Sequence, residues 1–260
     1  MSPVERAALA GLAVSGALAV ATWVASVKQR DASLVDRTWS LLVAAPAVAY
    51  AAILEPPWNL RTLAMATLLA AWAIRLTVYV TRRNLGHGED PRYQAIRARN
   101  EPNFAFKSLY LVFGLQAGLA WLVSAPLLGV FSDERGTTGH DLLGLALVLA
   151  GLVVEAVADA QLARFKRDPA SRGRVMDQGL WRWSRHPNYF GEFCVWWGFF
   201  VVALPAAPWS IVSPLLMSVL LLKVSGVALL EKDIGERRPG YREYVRRTSA
   251  FFPWPPRRGG

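Results

Sequence analysis

Seven apolar segments constrain the fold of this chain more than any other feature. Each has about the length that a helix needs to cross a bilayer, close to 20 residues. The segments are residues 7–27, 34–54, 60–82, 105–131, 141–163, 188–204 and 208–230. With 53% hydrophobic residues, the chain is also too apolar for a typical soluble domain. The sequence therefore predicts an all-α membrane protein, with seven transmembrane helices in a single domain spanning residues 1–260.

Basic residues predict how these helices are oriented. The net charge is +10, and 24 of the 29 Lys and Arg residues lie on alternate connections between the segments. Those connections are residues 28–37, 82–107, 164–187 and 232–260. The opposite side holds only Arg6, Arg61 and Arg135. By the positive-inside rule, the N-terminus lies outside and the C-terminal tail is cytoplasmic. The basic excess therefore orients the protein and does not indicate binding to nucleic acid.

Ionisable side chains inside the apolar segments point to a functional interior, because such groups are costly in lipid. In the fifth segment Glu155, Asp159 and Lys166 share one helix face. The sixth begins with Asn188 and Glu192, four residues apart. Further polar positions in the second, third and seventh segments are Glu55, Arg75, Tyr79, Arg82 and Lys223. Each residue alone fits structural hydrogen bonding between helices equally well. Together they predict a polar cavity that opens toward the cytoplasm.

The basic connection before the sixth segment predicts what this cavity holds. Residues 164–187 contain seven Lys or Arg residues, and guanidinium groups suit phosphates. A helix that begins at Pro187 also offers unpaired N–H groups to an anion. A large anionic cofactor fits this set, with Arg185 among its ligands. The alternative is that arginines such as Arg172 and Arg174 contact lipid phosphates.

Several common site types are absent from the sequence. No GxGxxG or GxxxxGK[ST] motif occurs, which excludes a Rossmann fingerprint and a P-loop. The single cysteine, Cys194, cannot form an intramolecular disulfide, and the three histidines are scattered. The sequence therefore predicts no metal site.

Four motifs carry a resemblance to a known family. They read "VDRTWSLL" at 35–42, "RRNLGHGEDPRYQAIR" at 82–97, "RHPNYFGE" at 185–192 and "RRPGYREYVRRTSAFFPWPP" at 237–256. In this order they resemble the bacterial branch of the membrane steroid 5α-reductase-like proteins, over about the whole chain. The related sterol reductases and isoprenylcysteine methyltransferases share the shorter RHPxY element.

The resemblance implies a multi-pass oxidoreductase of the bacterial inner membrane that uses NADPH. Its reaction would reduce a carbon–carbon double bond conjugated to a ketone, in a hydrophobic lipid or steroid-like substrate that enters from the bilayer. Glu55 and Tyr79 would hold the substrate carbonyl, where two donors stabilise the negative charge that develops. The implied cofactor-binding residues are Asp159, Lys166, Arg185, His186, Asn188, Tyr189, Glu192, Glu231, Tyr241, Arg242 and Tyr244.

The chain also departs from the family pattern, and two other functions stay open. Leu54 stands where steroid reductases of animals have a glutamine, and "LLKVSGVALLEKD" lacks their tyrosine and histidines. The alternative enzyme is a membrane methyltransferase of the isoprenylcysteine type that uses S-adenosylmethionine. The third possibility is a lipid-binding or scaffolding bundle without catalysis.

Overall fold

The computed structural model describes residues 1–224 and 240–257, and throughout these ranges the regular structure is helical. One isolated bridge, between Ser184 and Ser249, joins two non-helical positions. The helices are α1 Pro3–Gln29, α2 Leu34–Leu54, α3 Leu60–Asn84, α4 Pro91–Asn100, α5 Phe104–Ser108, α6 Leu115–Val123, α7 Ala125–Phe131, α8 Gly139–Arg167, α9 Pro187–Ala203, α10 Val212–Val219 and α11 Tyr241–Arg247.

Five helical segments are long and apolar enough to cross a membrane. They are Pro3–Gln29, Leu34–Leu54, Leu60–Asn84, Phe104–Val123 and Gly139–Arg167, and Pro208–Val224 is a shorter apolar helix. These segments confirm the predicted all-α, multi-pass membrane protein. Seven crossings and their orientation stay predictions. The end of the last predicted segment, at residue 230, lies outside the described residues.

The predicted fourth segment, residues 105–131, is interrupted twice in the structure. A π-helical turn at Leu109–Gly114 separates α5 from α6. Ser124 then ends α6, and α7 begins directly after it. Pro126 lies in the first turn of α7, where its missing N–H costs no helical hydrogen bond. An apolar run therefore predicted the buried segment correctly but did not predict its breaks.

The chain groups into two compact units. The first contains Met1–Thr138 with Ala203–Ser213, and the second contains Gly139–Val202 with Pro214–Gly260, of which residues 225–239 and 258–260 are outside the description. The single domain that the sequence predicts stays a prediction.

Helix α1 of the first unit buries its small residues and exposes its large ones. The buried stripe is Ala7, Gly11, Ser15, Ala19, Thr22 and Ser26. Large apolar side chains such as Leu9 and Val20 are exposed. A helix in water would show the reverse pattern, whereas small residues at helix contacts with apolar residues outside are typical of membrane helices. This burial pattern supports a membrane location independently of hydropathy.

Gly11 is the closest contact between α1 and α2, and its substitution is expected to destabilise the first unit. A Cβ at Gly11 would lie 2.3 Å from the Tyr50 ring, whose hydroxyl hydrogen-bonds the Ser124 hydroxyl at 2.8 Å. We therefore expect Gly11→Ala to lower the free energy of unfolding by about 1–3 kcal/mol. Gly16 on the same helix faces open space, so Gly16→Ala is the matched control. Equal thermal stability of the two variants would contradict this packing.

Arg61 at the start of α3 is fully buried, and it fixes the connection that follows α7. Its Nη1 atom donates to Asp133 Oδ2 at 2.6 Å, and Nη2 donates to the carbonyl oxygen of Asp133 at 2.6 Å. Arg135 pairs with the same carboxylate at 2.7 Å. Arg61 and Arg135 are two of the three basic residues on the predicted outer side, and both therefore pair with Asp133.

Two of the motifs in the sequence contact each other in the first unit. Asp36 of "VDRTWSLL" accepts hydrogen bonds from Arg92 Nη2 at 2.8 Å and from the Tyr93 hydroxyl at 2.7 Å. Glu89 accepts from the backbone N–H of Ala32 and from Arg97, both near 2.8 Å. Burial alone would raise the pKa of Glu89, but the hydrogen bond and charge of Arg97 and the Ala32 N–H lower it overall. These motifs therefore form a structural ion-pair network.

Candidate functional site

In the second unit, α8 and α9 pack against each other through four glycines. A Cβ at Gly151 would lie 2.6 Å from the Gly191 carbonyl oxygen, and one at Gly191 would lie 2.6 Å from the Gly151 carbonyl oxygen. Gly144 and Gly198 repeat this contact 7 residues away on each helix. Because no side chain separates the backbones, polar groups next to these glycines are brought together.

Four polar side chains lie along this helix pair. Asn188 Nδ2 donates to Asp159 Oδ1 at 3.2 Å. Glu192 accepts a hydrogen bond at 3.0 Å from the indole N–H of Trp196, which is fully buried. Glu155 adjoins the crossing, since a Cβ at Gly191 would lie 2.7 Å from its backbone nitrogen. The carboxylates of Glu155, Asp159 and Glu192 are all at least 95% buried.

The first turn of α9 adds an aromatic pair to this cluster. His186 directly precedes the helix and is 5% exposed. Its ring stacks on Tyr189, with centroids 5.6 Å apart and planes 7° from parallel. The His186 backbone N–H donates to the Ser184 hydroxyl at 3.1 Å, which fixes the approach of the chain to Pro187. The stacked pair therefore flanks Asn188 in the sequence, at the start of α9.

Arg185 was predicted to bind a cofactor, but its guanidinium is engaged with α11. The Nη1 atom donates to the carbonyl oxygens of Val245 at 3.2 Å and Thr248 at 2.7 Å. Carbonyls at a helix C-terminus lack intrahelical donors and carry partial negative charge, so they attract a cation. Arg185 therefore holds α11 in place, and its role in cofactor binding stays a prediction.

Arg185→Lys is expected to loosen α11 without unfolding α8 and α9. The lysine ammonium ends one bond closer to the backbone than the Arg185 Nη1 atom that contacts both carbonyls, so we expect about 1.5–3 kcal/mol less stability for this local contact. Faster limited proteolysis within residues 240–257 would report the loss. Arg182→Lys is the control because Arg182 is exposed and makes no described side-chain bond. Equal cleavage rates for both variants would contradict the assignment.

The C-terminal tyrosines that were predicted to bind cofactor also have structural contacts. The Tyr244 hydroxyl donates to the Trp181 carbonyl oxygen at 2.5 Å, and Tyr244 is 3% exposed. Tyr241 is buried and packs edge-on against Tyr244, whereas Arg242 is exposed. Glu231 lies outside the described residues. Roles of Tyr241, Arg242 and Tyr244 in cofactor binding stay predictions.

The expected carbonyl-binding pair, Glu55 and Tyr79, is not brought together within the first unit. Glu55 is the exposed C-cap of α2, with φ +46°, and the chain enters α3 directly after it at Leu60. Tyr79 is half-buried and lies roughly 28 Å farther along the axis of α3, at 1.5 Å per residue. The two side chains cannot donate to one oxygen, so that pairing is corrected.

Lys166, the last position of the predicted stripe on α8, is exposed. It follows Asp159 by two helical turns, roughly 10 Å along the axis. The described residues contain no group of three His, Cys, Asp or Glu side chains that could hold a metal ion. Of the predicted residues, Asp159, Asn188 and Glu192 lie on the packed α8–α9 pair, with His186 and Tyr189 beside them.

Two features of this site were missed from the sequence. Trp196, the partner of Glu192, was counted among the apolar residues of its segment. The second feature is the pair of glycines on each helix, spaced 7 residues apart: Gly144 with Gly151 on α8, and Gly191 with Gly198 on α9. That spacing places the glycines of each pair on one helix face, which is the signal that predicts a close helix contact in a membrane.

Chemically, the cluster is an acceptor-rich site with one amide donor. A carboxylate offers about four acceptor positions, and Asp159 uses one of them for the Asn188 amide. Hydroxyl and amide groups are the kinds of donor that match such acceptors.

Known families and proteins provide two matches to this chain. A family model described as a protein of unknown function, DUF1295, matches residues 22–248, which is most of the chain. An uncharacterized protein of Schizosaccharomyces pombe, C594.04c, is 28% identical over 274 aligned residues, which cover 94% of this chain and 78% of that protein. No solved structure matches. Neither description names an activity.

Proposed function

This chain belongs to the DUF1295 family, and we propose that it is an oxidoreductase of the bacterial inner membrane that binds NADPH in its second unit. The proposed reaction reduces a carbon–carbon double bond conjugated to a ketone in a hydrophobic lipid or steroid-like substrate. When bound, NADPH would supply the hydride. The substrate would enter from the surrounding bilayer.

The observation that carries this proposal is the Asp159–Asn188 hydrogen bond at the glycine crossing of α8 and α9. Three carboxylates, each at most 5% exposed, lie beside this crossing within apolar helices. Burying a charge in such surroundings is costly, and residues of this kind in membrane helices commonly mark a functional site.

The residues of the cluster match the polar parts of a dinucleotide. Asp159 and Glu192 would accept hydrogen bonds from ribose hydroxyls, as carboxylates do in other dinucleotide sites. Asn188 can both donate and accept, which suits a carboxamide. The resemblance of "RHPNYFGE" to reductases of the 5α-reductase type supports the same assignment residue by residue for Asn188 and Glu192.

A labelled turnover experiment tests the proposal. Protein in lipid nanodiscs is given NADPH with deuterium at the transferred position, together with sterol-like and polyprenyl-like enones. We expect one deuterium in the reduced product, and at least about a tenfold lower rate for Glu192→Gln, which loses a charged acceptor. Glu134→Gln is the control, since Glu134 is exposed in the first unit.

The same preparation tests the methyltransferase alternative. S-adenosylmethionine lacks phosphates and would transfer a methyl group rather than a hydride. A methylated product, or absence of deuterium transfer to every enone while S-adenosylmethionine binds, would contradict the reductase proposal. Unchanged turnover in Glu192→Gln would place the reaction away from this cluster.

A further inference from the structure

A second polar site lies in the second unit, away from the α8–α9 crossing. It is a cleft of about 860 Å³ between the turn before α9, helix α11 and the C-terminal tail. Its charged lining residues are Asp177, Arg182, Glu243, Arg246, Arg247 and Arg257. None of Asp159, Asn188 and Glu192 lines it. A role for this cleft therefore goes beyond the proposed reductase activity.

Three of the four arginines that line this cleft form no ion pair with any described residue. Arg247 forms an ion pair with Asp177. By contrast, the guanidinium groups of Arg182, Arg246 and Arg257 form no hydrogen bond or ion pair with any described side chain or carbonyl. These three positive charges come from three different segments and repel each other. An anion in the cleft would attract all three and offset this repulsion.

The walls of the cleft are fixed by hydrogen bonds. Gly179 has φ +58° and its Cα lies against the Gln161 side chain, which leaves no room for a Cβ. Gln161 Oε1 accepts from the Leu180 backbone N–H at 3.0 Å, so the turn is tied to α8. A cleft built on a tied turn is preorganised, which lowers the cost of binding a ligand.

The tail forms the other wall of the cleft and is tied down along its length. The Ser184 hydroxyl donates to the Phe251 carbonyl oxygen at 2.7 Å. The Trp254 backbone N–H donates to the Trp183 carbonyl oxygen at 3.0 Å. Arg257 is then held beside α11, because its backbone N–H donates to the Arg247 carbonyl oxygen at 2.9 Å. The tail arginine therefore has a defined place at the cleft.

We propose that this cleft binds a phosphate group, through the guanidinium groups of Arg182, Arg246 and Arg257. Guanidinium groups match phosphate oxygens in geometry and charge, and such bonds are stronger than neutral ones. Exposed Trp183 and Trp254 adjoin these residues, and tryptophan is enriched at the membrane interface. The phosphate belongs either to the headgroup of an anionic phospholipid or to a soluble phosphate ester.

Two binding arms distinguish these sources. In the first, the full-length protein in phosphatidylcholine nanodiscs with or without phosphatidic acid is analysed for bound lipid by native mass spectrometry. In the second, glycerol 3-phosphate is titrated into protein in phosphatidylcholine nanodiscs by calorimetry. Arg246→Gln and Arg257→Gln are each expected to weaken binding about tenfold, since each removes a charge-assisted hydrogen bond.

Arg242→Gln is the matched control, because it removes the same charge from α11 at an exposed position outside the cleft. Selective loss of phosphatidic acid binding in the two cleft variants identifies a lipid headgroup. Selective loss of glycerol 3-phosphate binding identifies a soluble ester. If both cleft variants bind both probes as Arg242→Gln does, or if wild-type protein binds neither probe, the proposal is overturned. Neither arm uses NADPH, so the outcome is independent of the reductase proposal.

Discussion

Gly151→Val is expected to prevent the second unit from folding. A Cβ at this position would lie 2.6 Å from the carbonyl oxygen of Gly191 and 2.8 Å from the backbone nitrogen of Val195. Both neighbours are backbone atoms of α9, so they cannot rotate away as a side chain would. One extra methylene in a packed core costs about 1–3 kcal/mol, and valine adds three carbons at a backbone contact. Separating the helices would also dissolve the Asp159–Asn188 hydrogen bond.

Size-exclusion chromatography in detergent measures this effect as loss of the monodisperse peak. Gly118→Val is the control, because Gly118 lies in a membrane-length segment and has no atom within 4 Å of its added Cβ. The control removes the general effect of a β-branched residue in such a helix. A Gly151→Val protein that elutes and melts as Gly118→Val does would show that α8 and α9 do not cross at these glycines.

Asp133→Asn is expected to destabilise the first unit by about 3–5 kcal/mol. The substitution leaves the Arg61 guanidinium, which is 0% exposed, without its carboxylate. Removing one partner of a buried ion pair is strongly destabilising because the remaining charge stays buried. Arg61→Leu is expected to cost less, since it removes the charge along with the pair. Thermal unfolding of the purified variants measures the order.

Arg135→Gln is the control for this ion pair. Arg135 contacts the same carboxylate, but its side chain is 25% exposed and can be hydrated. Exposed pairs contribute about 0–1 kcal/mol, so this variant should melt close to the wild-type protein. If Arg135→Gln proved as destabilised as Asp133→Asn, the buried charge of Arg61 would not explain the effect.

Hydropathy predicted most of the long helices but did not predict which helices contact each other. The predicted ends of the second segment, 34–54, match α2 as Leu34–Leu54. The break at Ser124 was not predicted, because an apolar run remains apolar across an interruption of the helix. Turns of this kind depend on local hydrogen bonds, which the periodicity of a long apolar run does not reveal.

The candidate site was predictable where helix periodicity decides which residues share a face. The four-residue spacings of Glu155 with Asp159 and of Asn188 with Glu192 predicted two polar faces, and the structure joins Asp159 to Asn188. The contact of Arg185 with α11 was not predictable, because an arginine suits phosphates and helix C-terminal carbonyls equally well. The sequence does not show which acceptor is nearer, since α11 lies about 60 residues farther along the chain.

The motif "RHPNYFGE" therefore combines two roles in adjacent residues. Ser184 and Arg185 bind the C-terminal motif, through Phe251 and Thr248. Asn188 instead donates to Asp159 on α8, and Glu192 accepts from Trp196 on its own helix, α9. The first half of this motif therefore supports the fold. Only its second half, with Asn188 and Glu192, bears on the chemistry. The reductase proposal accordingly rests on the second pair.

Equilibrium binding of NADPH to the wild-type protein and to Asn188→Ala tests that proposal most directly. Asn100→Ala removes an amide from α4 in the first unit and serves as the control. The account predicts saturable NADPH binding for the wild-type and control proteins, and about 10–100-fold weaker binding for Asn188→Ala. Absence of NADPH binding to the wild-type protein, or equal affinity in all three, would contradict it.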